Sequence, residues 1–176
     1  MSKADTLNLA GIVRESIVDG PGIRFAVYCQ GCPHGCPGCH NPQTHPFGEG
    51  KDTDVAAIMR EIRKNPLLSG VTFSGGEPFC QPEALLSLAK EVKKSGLDIV
   101  IFTGYTYEEL LDMSGEAPAI EGLLSLCDIL IDGRFIESQR DLSLRFRGSR
   151  NQRIIDVQAT RKKGDIILSP DHLCED

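Results

Sequence analysis

The sequence predicts an α/β fold on a mostly parallel sheet, and two observations predict it. Short β-rich runs alternate with amphipathic segments along most of the 176 residues, the rhythm of strands joined by helical crossovers. The segments between those runs carry apolar residues at helical spacing, so each has one stripe to lay on a sheet. In order, the predicted strands are Arg24 to Gln30, Gly70 to Ser74, Asp98 to Thr103, Asp128 to Asp132 and Gln152 to Gln158. Val55, Ile58, Met59 and Ile62 follow i, i+3, i+4, i+7 and define a first helix, and Leu85, Leu88, Ala89 and Val92 repeat the spacing in a second. Pro82 near the start of that second helix and Gly96 past its end fit the usual asymmetry of helix termini. Thr106-Tyr107-Glu108-Glu109 has the form of a capping box and opens a third, short helix.

With 40% hydrophobic and 25% charged residues, the chain reads as one globular domain over 1–176. Its 19 basic against 25 acidic residues leave a net charge of -6, which argues against a general nucleic-acid binder. Met1-Ser2-Lys3-Ala4-Asp5-Thr6 has no apolar stretch behind it and no run approaches the length of a membrane span, so a cytoplasmic protein without a membrane anchor is expected. The 7 cysteines are an odd number for such a compartment, where clustered thiols mean metal or catalysis more often than cross-links. Cys80, Cys127 and Cys174 stand alone and read as small buried or chain-end residues without an assigned role.

Parallel strands carry functional residues on the loops at their carboxyl ends. After the first predicted strand comes Cys32-Pro33-His34-Gly35-Cys36-Pro37-Gly38-Cys39, within a candidate metal loop at 29–41. Its C-x3-C-x2-C spacing leaves the loop one thiolate short of a closed shell, and a metal site lacking one protein ligand is built to bind something else there. Cys29 offers a fourth thiolate, which would close the set as structural zinc does, although the pleat fixes its side chain at the end of a strand. After the second strand, Ser74-Gly75-Gly76-Glu77-Pro78 has two glycines that let a ligand approach the backbone, with Glu77 as an acceptor for a ligand ammonium. A plain strand-to-helix turn explains the same residues. Thr103-Gly104-Tyr105 and Asp132-Gly133-Arg134 follow the third and fourth strands, as site residues or as ordinary turns. His34, His45 and His172 read as solvated loop residues. Arg140, Arg145, Arg147, Arg150 and Arg153 concentrate positive charge in one stretch, either a docking surface for carboxylates or a solvated face.

Together these loops resemble a known family. Cys32, Cys36 and Cys39 match the radical S-adenosylmethionine superfamily, and Ser74 to Pro78 looks like its methionine-binding turn. Asp19-Gly20-Pro21-Gly22-Ile23-Arg24 resembles the entry of the glycyl-radical activating enzymes, and Arg145 to Asp156 the late segment of the branch that serves anaerobic ribonucleotide reductase. The resemblance runs from about Asp19 to Asp156 and implies a shortened, open partial (β/α) barrel. It further implies a [4Fe-4S] cluster on Cys32, Cys36 and Cys39 and S-adenosyl-L-methionine at the fourth iron, with Gly38, Cys39, His40, Gly75, Gly76, Glu77, Thr103 and Asp132 around that cofactor. The implied activity is reductive cleavage of S-adenosylmethionine to generate a glycyl radical on a partner, the large subunit of anaerobic ribonucleotide reductase; if the arginine stretch is a docking surface, Arg145, Arg147 and Arg150 are the residues expected to meet that partner. A low-potential donor such as flavodoxin or ferredoxin would supply the electron. One departure is Gly38, where most of the superfamily has an aromatic residue beside the adenine. The alternatives are an activase of another glycyl radical enzyme, or a non-catalytic four-cysteine zinc- or cluster-binding module.

Overall fold

A computed structural model describes residues 5–173; Cys174 lies outside them. The chain runs β1 (Thr6–Ser16), β2 (Arg24–Cys29), β3 (Lys51–Asp54), α1 (Val55–Ile62), β4 (Gly70–Gly75), α2 (Pro82–Lys94), β5 (Asp98–Phe102), α3 (Tyr107–Ser114), α4 (Pro118–Leu126), β6 (Ile129–Asp132), β7 (Arg153–Asp156) and α5 (Val157–Lys163). The strands form one open sheet in the order β3-β1-β2-β4-β5-β6-β7. β2, β4, β5 and β6 pair in parallel. β1 is antiparallel to both β2 and β3, and β7 is antiparallel to β6, so only β1 and β7 oppose the direction of the other strands. Among the described residues no helix is long and apolar enough to cross a membrane.

The five expected strands are present with shifted ends. The last is shorter than its sequence predicts: after Ile154 and Ile155 the Asp156 side chain accepts from the Ala159 N–H and caps α5, which turns Val157 and Gln158 helical. β1 and β3 were not expected. All three predicted helices form, and Thr106 and Glu109 make the reciprocal bonds of the capping box.

The pleat divides the sheet between two cores. Phe25, Val27, Cys29, Val71, Phe73, Ile99, Ile101, Leu130 and Ile155 pack with the helix stripes in one cluster. Leu85, Leu88 and Val92 of α2 are 0% exposed there, and burying such a side chain contributes about 1.5–3 kcal/mol. The alternate residues face the other way, with Val100, Ile131 and Ile154 in a second, smaller cluster over which Phe102, Ile129 and Phe146 pack. Arg24 lies wholly buried, its guanidinium donating to Thr72 Oγ1 at 2.7 Å, to the carbonyls of Pro21 and Val71 at 3.0 Å and to Asp98 Oδ1 at 2.5 Å. It ties the turn before β2 to β4 and β5, a structural task for the last residue of the Asp19–Arg24 motif.

Candidate cluster and cofactor site

The cysteine loop leaves β2 at the carboxyl ends of the parallel strands and is anchored at its base by backbone bonds. Gly31 N–H donates to Thr44 O at 2.8 Å and Cys32 N–H to His45 O at 3.0 Å, while Gly76 and Glu77 N–H donate to Cys29 O and Gly31 O, each at 2.8 Å. The two glycines at the end of β4 are required by this junction. A Cβ on Gly75 would run into the backbone of Tyr28 and Cys29, and one on Gly76 into the carbonyls of Gly31 and Thr44; Gly75 also has φ 91°. Gly75 and Gly76 thus bring the turn against the cysteine loop as well as beside the cleft.

Cys32, Cys36 and Cys39 are half-buried free thiols on this loop. Cys32 and Cys36 line a cleft of about 130 Å³ whose other walls include Gly75, Gly76, Thr103 and Phe135. Burial pushes the Cys32 thiol up, Glu77 and Cys36 add to that, and the N–H groups of His34 and Gly35 oppose it. Cys39 Sγ accepts from the Asn41 N–H at 3.4 Å. Cys29 is 0% exposed, in the core on the helix face, and burial drives its thiol far up. Cys80 is pushed up to about 12, first by burial and then by Glu77 and Cys32; Cys127 is buried, its thiol donating to the Ile129 carbonyl at 3.1 Å. Three half-buried thiols on one loop, two of them lining a glycine-bordered cleft, fit a cluster that takes three protein ligands. Among the described residues no three His, Cys, Asp or Glu side chains stand together closely enough for a single ion; a cubane of four irons and four sulfides is a wider object.

A neighbouring cleft of about 430 Å³ shares Ser74, Phe102, Phe135 and Gln152 with the first and extends past Tyr28 and His40. Asp19 stands at its wall, accepting from Ser16 Oγ at 2.5 Å and from Tyr28 Oη at 2.8 Å. Burial, then Asp19, pushes the Tyr28 phenol up and keeps it a donor. Gly38 has φ 73°, and a Cβ there would meet Glu137 and the Phe135 ring; Phe135 also packs on His40, with ring centroids 5.2 Å apart. An aromatic face is therefore supplied from beyond β6, where the loop itself has glycine. Sequence reasoning missed Phe135, although its position just after Asp132-Gly133-Arg134, at the carboxyl end of a parallel strand, was the available signal.

Several expected site residues are committed to the chain itself. Glu77 is 0% exposed and accepts from Phe79 N–H, Gly104 N–H, Thr103 Oγ1 and His34 Nε2 at 2.7–3.0 Å. A carboxylate offers about four acceptor positions, so none is left for a ligand ammonium. His34, read as solvated, has a side chain only 5% exposed. Thr103 donates its hydroxyl to Glu77 and accepts from the Tyr105 N–H. Asp132 is 1% exposed, paired with Arg153 and accepting from the Tyr107 N–H at 2.8 Å. Arg153 bridges Asp132 and Glu108. Of the three expected docking arginines, Arg147 donates to the carbonyls of Gln152 and His172 at 3.3 and 2.7 Å and holds the chain end. Arg145 pairs with Asp171 at 3.0 Å and Arg150, 73% exposed, with Asp141 at 2.8 Å. His45 is half-buried, and His172 accepts from the Ile154 N–H at 3.2 Å.

Comparison with known proteins shows the family of the chain. The 4Fe-4S single cluster domain family matches residues 18–155. The anaerobic ribonucleoside-triphosphate reductase-activating protein of Vibrio cholerae is 35% identical over 146 residues, 77% of this chain and 89% of its own length. That of Escherichia coli K12 is 33% identical over 147 residues, again 77% of this chain and 90% of its own. The pyruvate formate-lyase-activating enzyme of Clostridium pasteurianum is 42% identical over 104 residues, 54% of this chain and 44% of that protein. With a family match over residues 18–155, and reductase-activating relatives aligned over 89–90% of their length, the chain belongs to the 4Fe-4S single cluster domain family, among the glycyl radical activating proteins of radical S-adenosylmethionine type.

Proposed function

We propose that the chain activates a glycyl radical enzyme, an anaerobic ribonucleotide reductase, using one [4Fe-4S] cluster and S-adenosyl-L-methionine. The observation that carries this is the loop of three half-buried thiols over a cleft at the carboxyl ends of the parallel strands. Cys32, Cys36 and Cys39 would hold the cluster and leave one iron for the cofactor's amino acid end. When bound, the pair supplies one-electron reductive cleavage of the sulfonium, the step that leads to loss of hydrogen from a glycine of the partner. The chain's own residues orient and exclude water. Gly75 and Gly76 keep the wall beside the cysteines free of side chains. Phe135 and Phe102 line both clefts and would offer an apolar face to the adenosine half, with His40 in ring contact with Phe135. Tyr28, held by Asp19, offers a hydroxyl to the wider cleft. Arg145 and Arg150 would meet carboxylates of the partner, and flavodoxin or ferredoxin would deliver the electron.

The reductase is favoured over another glycyl radical enzyme because the reductase-activating relatives align over 89–90% of their length and the pyruvate formate-lyase-activating enzyme over 44%. The deciding experiment is anaerobic reconstitution followed by incubation with reductant, S-adenosylmethionine and an anaerobic ribonucleotide reductase. About four irons per chain and a glycyl radical signal in electron paramagnetic resonance are expected. A colourless protein that binds one zinc would overturn the proposal.

A further inference from the structure

We propose that His34, inserted between the first two cysteines of the loop, is a positioning residue that ties the loop to the buried Glu77 and so fixes the shape in which it receives the cluster. Pro33 and Gly35 on either side of it are exposed, whereas the imidazole turns inward. Its Nε2 lies 2.7 Å from Glu77 Oε2, with side-chain exposures of 5% and 0%. The Tyr105 ring meets it edge-on with centroids 4.5 Å apart. Gly104 completes the slot, since a Cβ there would overlap the imidazole ring.

The other end of the contact is rigid. Glu77 is bound by the Phe79 N–H of its own turn and by Thr103 and Gly104 beyond β5. Four donors from three segments converge on one carboxylate, so the imidazole joins the cysteine loop to the ends of two neighbouring parallel strands. Of the four, the His34 bond alone crosses to the cysteine loop. A side chain that orients metal ligands from behind changes metal retention by about 10- to 100-fold when it is removed. Spacing is part of the device: with three residues between Cys32 and Cys36, the middle one has room to point into the protein while the thiols flank the cleft.

This role presupposes the cluster proposed above. The test compares wild type with His34→Leu, which keeps bulk and loses the donor, and His34→Gln, whose side-chain amide can still donate to Glu77. Each is reconstituted anaerobically, and iron release to a chelator and the electron paramagnetic resonance spectrum of the reduced cluster are recorded. Amide exchange of the iron-free proteins is read in the cysteine loop and in β4 and β5. The expected result is about tenfold faster iron loss, an altered spectrum and faster exchange confined to the cysteine loop for His34→Leu, with His34→Gln close to wild type. A leucine variant that matches wild type in iron release and spectrum overturns the role, and so does one that loses protection throughout β4 and β5, which would make His34 a folding residue. If wild type itself takes up no iron, the functional proposal falls and this one with it; iron-loaded wild type beside an unaffected leucine variant removes this one alone.

Discussion

Cys29 and Cys32 are three residues apart, yet the end of β2 lies between them and sends them to different places. Cys29 points with Phe25 and Val27 into the helix-side core, while Cys32 is past the last pleat and borders the cleft. Cys32→Ala, Cys36→Ala or Cys39→Ala should each prevent stable cluster assembly, measured as iron per chain after reconstitution. Cys29→Ala should retain the iron and lower stability by about 1 kcal/mol, the loss from one small buried group. Equal iron loss in all four variants would instead make Cys29 a ligand. Gly76 is a second residue-scale case, because the carbonyl its Cβ would strike belongs to Gly31 at the root of the cysteine loop. Gly76→Val should therefore diminish cluster content itself, beyond any effect on S-adenosylmethionine affinity; a valine variant with full iron content would show that the loop tolerates the displacement. The thiol spacing and the glycine pair were legible because backbone geometry and metal ligation demand those residue types. The allegiance of Glu77, Thr103 and Asp132 was not, since a carboxylate that serves a ligand and one that serves the chain look alike until their donors are known.

At the scale of elements, the segment between β6 and β7 folds back on itself, with Arg140 bridged to Ser149 and the Asp141 N–H donating to Gly148 O at 3.2 Å. Its tip exposes Leu142, 80% accessible, and holds Phe146 at φ 57°, in the left-handed region. Arg145 lies over the Phe146 ring at 4.9 Å. Exposed ion pairs such as those of Arg145 and Arg150 contribute about 0–1 kcal/mol to folding, so replacing both with glutamine should leave the denaturation midpoint nearly unchanged. The same change should slow glycyl radical formation on the reductase about tenfold at low salt, with the difference shrinking as salt rises. Cleavage of S-adenosylmethionine without partner should persist; if it falls in parallel, the arginines serve the fold or the cofactor. Arg147 belongs to the clasp on the chain end, where His172 also sits. Burial, then Arg147 and Arg153, holds the His172 imidazole below its ordinary value, with Asp132 opposing. The folded state thus keeps it neutral, with Nδ1 accepting from Ile154, and the unfolded chain binds the proton more readily. The clasp's stability is fully present above about pH 6.5 and is lost as pH falls from there through the lowered folded value. Amide exchange at Ile154 and Ser169 should quicken over that range in wild type, with the pH-dependent change absent in His172→Gln. The helices and central strands were legible because their stripes and β-rich runs are long. β3, Lys-Asp-Thr-Asp, was not, because an edge strand of four polar residues has no apolar face to betray it.

For the molecule as a whole, the two faces of the sheet divide the work. The helix side holds the larger core, built from both the parallel strands and the helix stripes, and needs nothing from the cleft. On the opposite face the β2–β4 half presents Arg24, Tyr28, Thr72 and Ser74, and the β5–β6–β7 half closes on Val100, Ile131 and Ile154 beneath Phe146. That alternation was readable strand by strand, but the meeting of Phe135, Phe146 and Gln152 over the cleft depends on a long irregular return between β6 and β7 whose path no periodicity encodes. The cysteine loop joins this frame through bonds that involve no metal: Gly31 to Thr44, Cys32 to His45, Glu77 to Gly31 and His34 to Glu77. Removing the iron should therefore leave the sheet cooperative and change the loop alone. Wild type stripped with a chelator should keep its far-ultraviolet circular dichroism and a single unfolding transition. Its midpoint should be lowered only by the linkage that any ligand of the folded state provides, about 2.7 kcal/mol at a hundredfold excess over its dissociation constant. Amide exchange should quicken within the cysteine loop and remain slow at Phe73, Ile101 and Leu130. Collapse of the whole dichroism spectrum on chelation would mean that the cluster, and not the helix-side core, organises the fold.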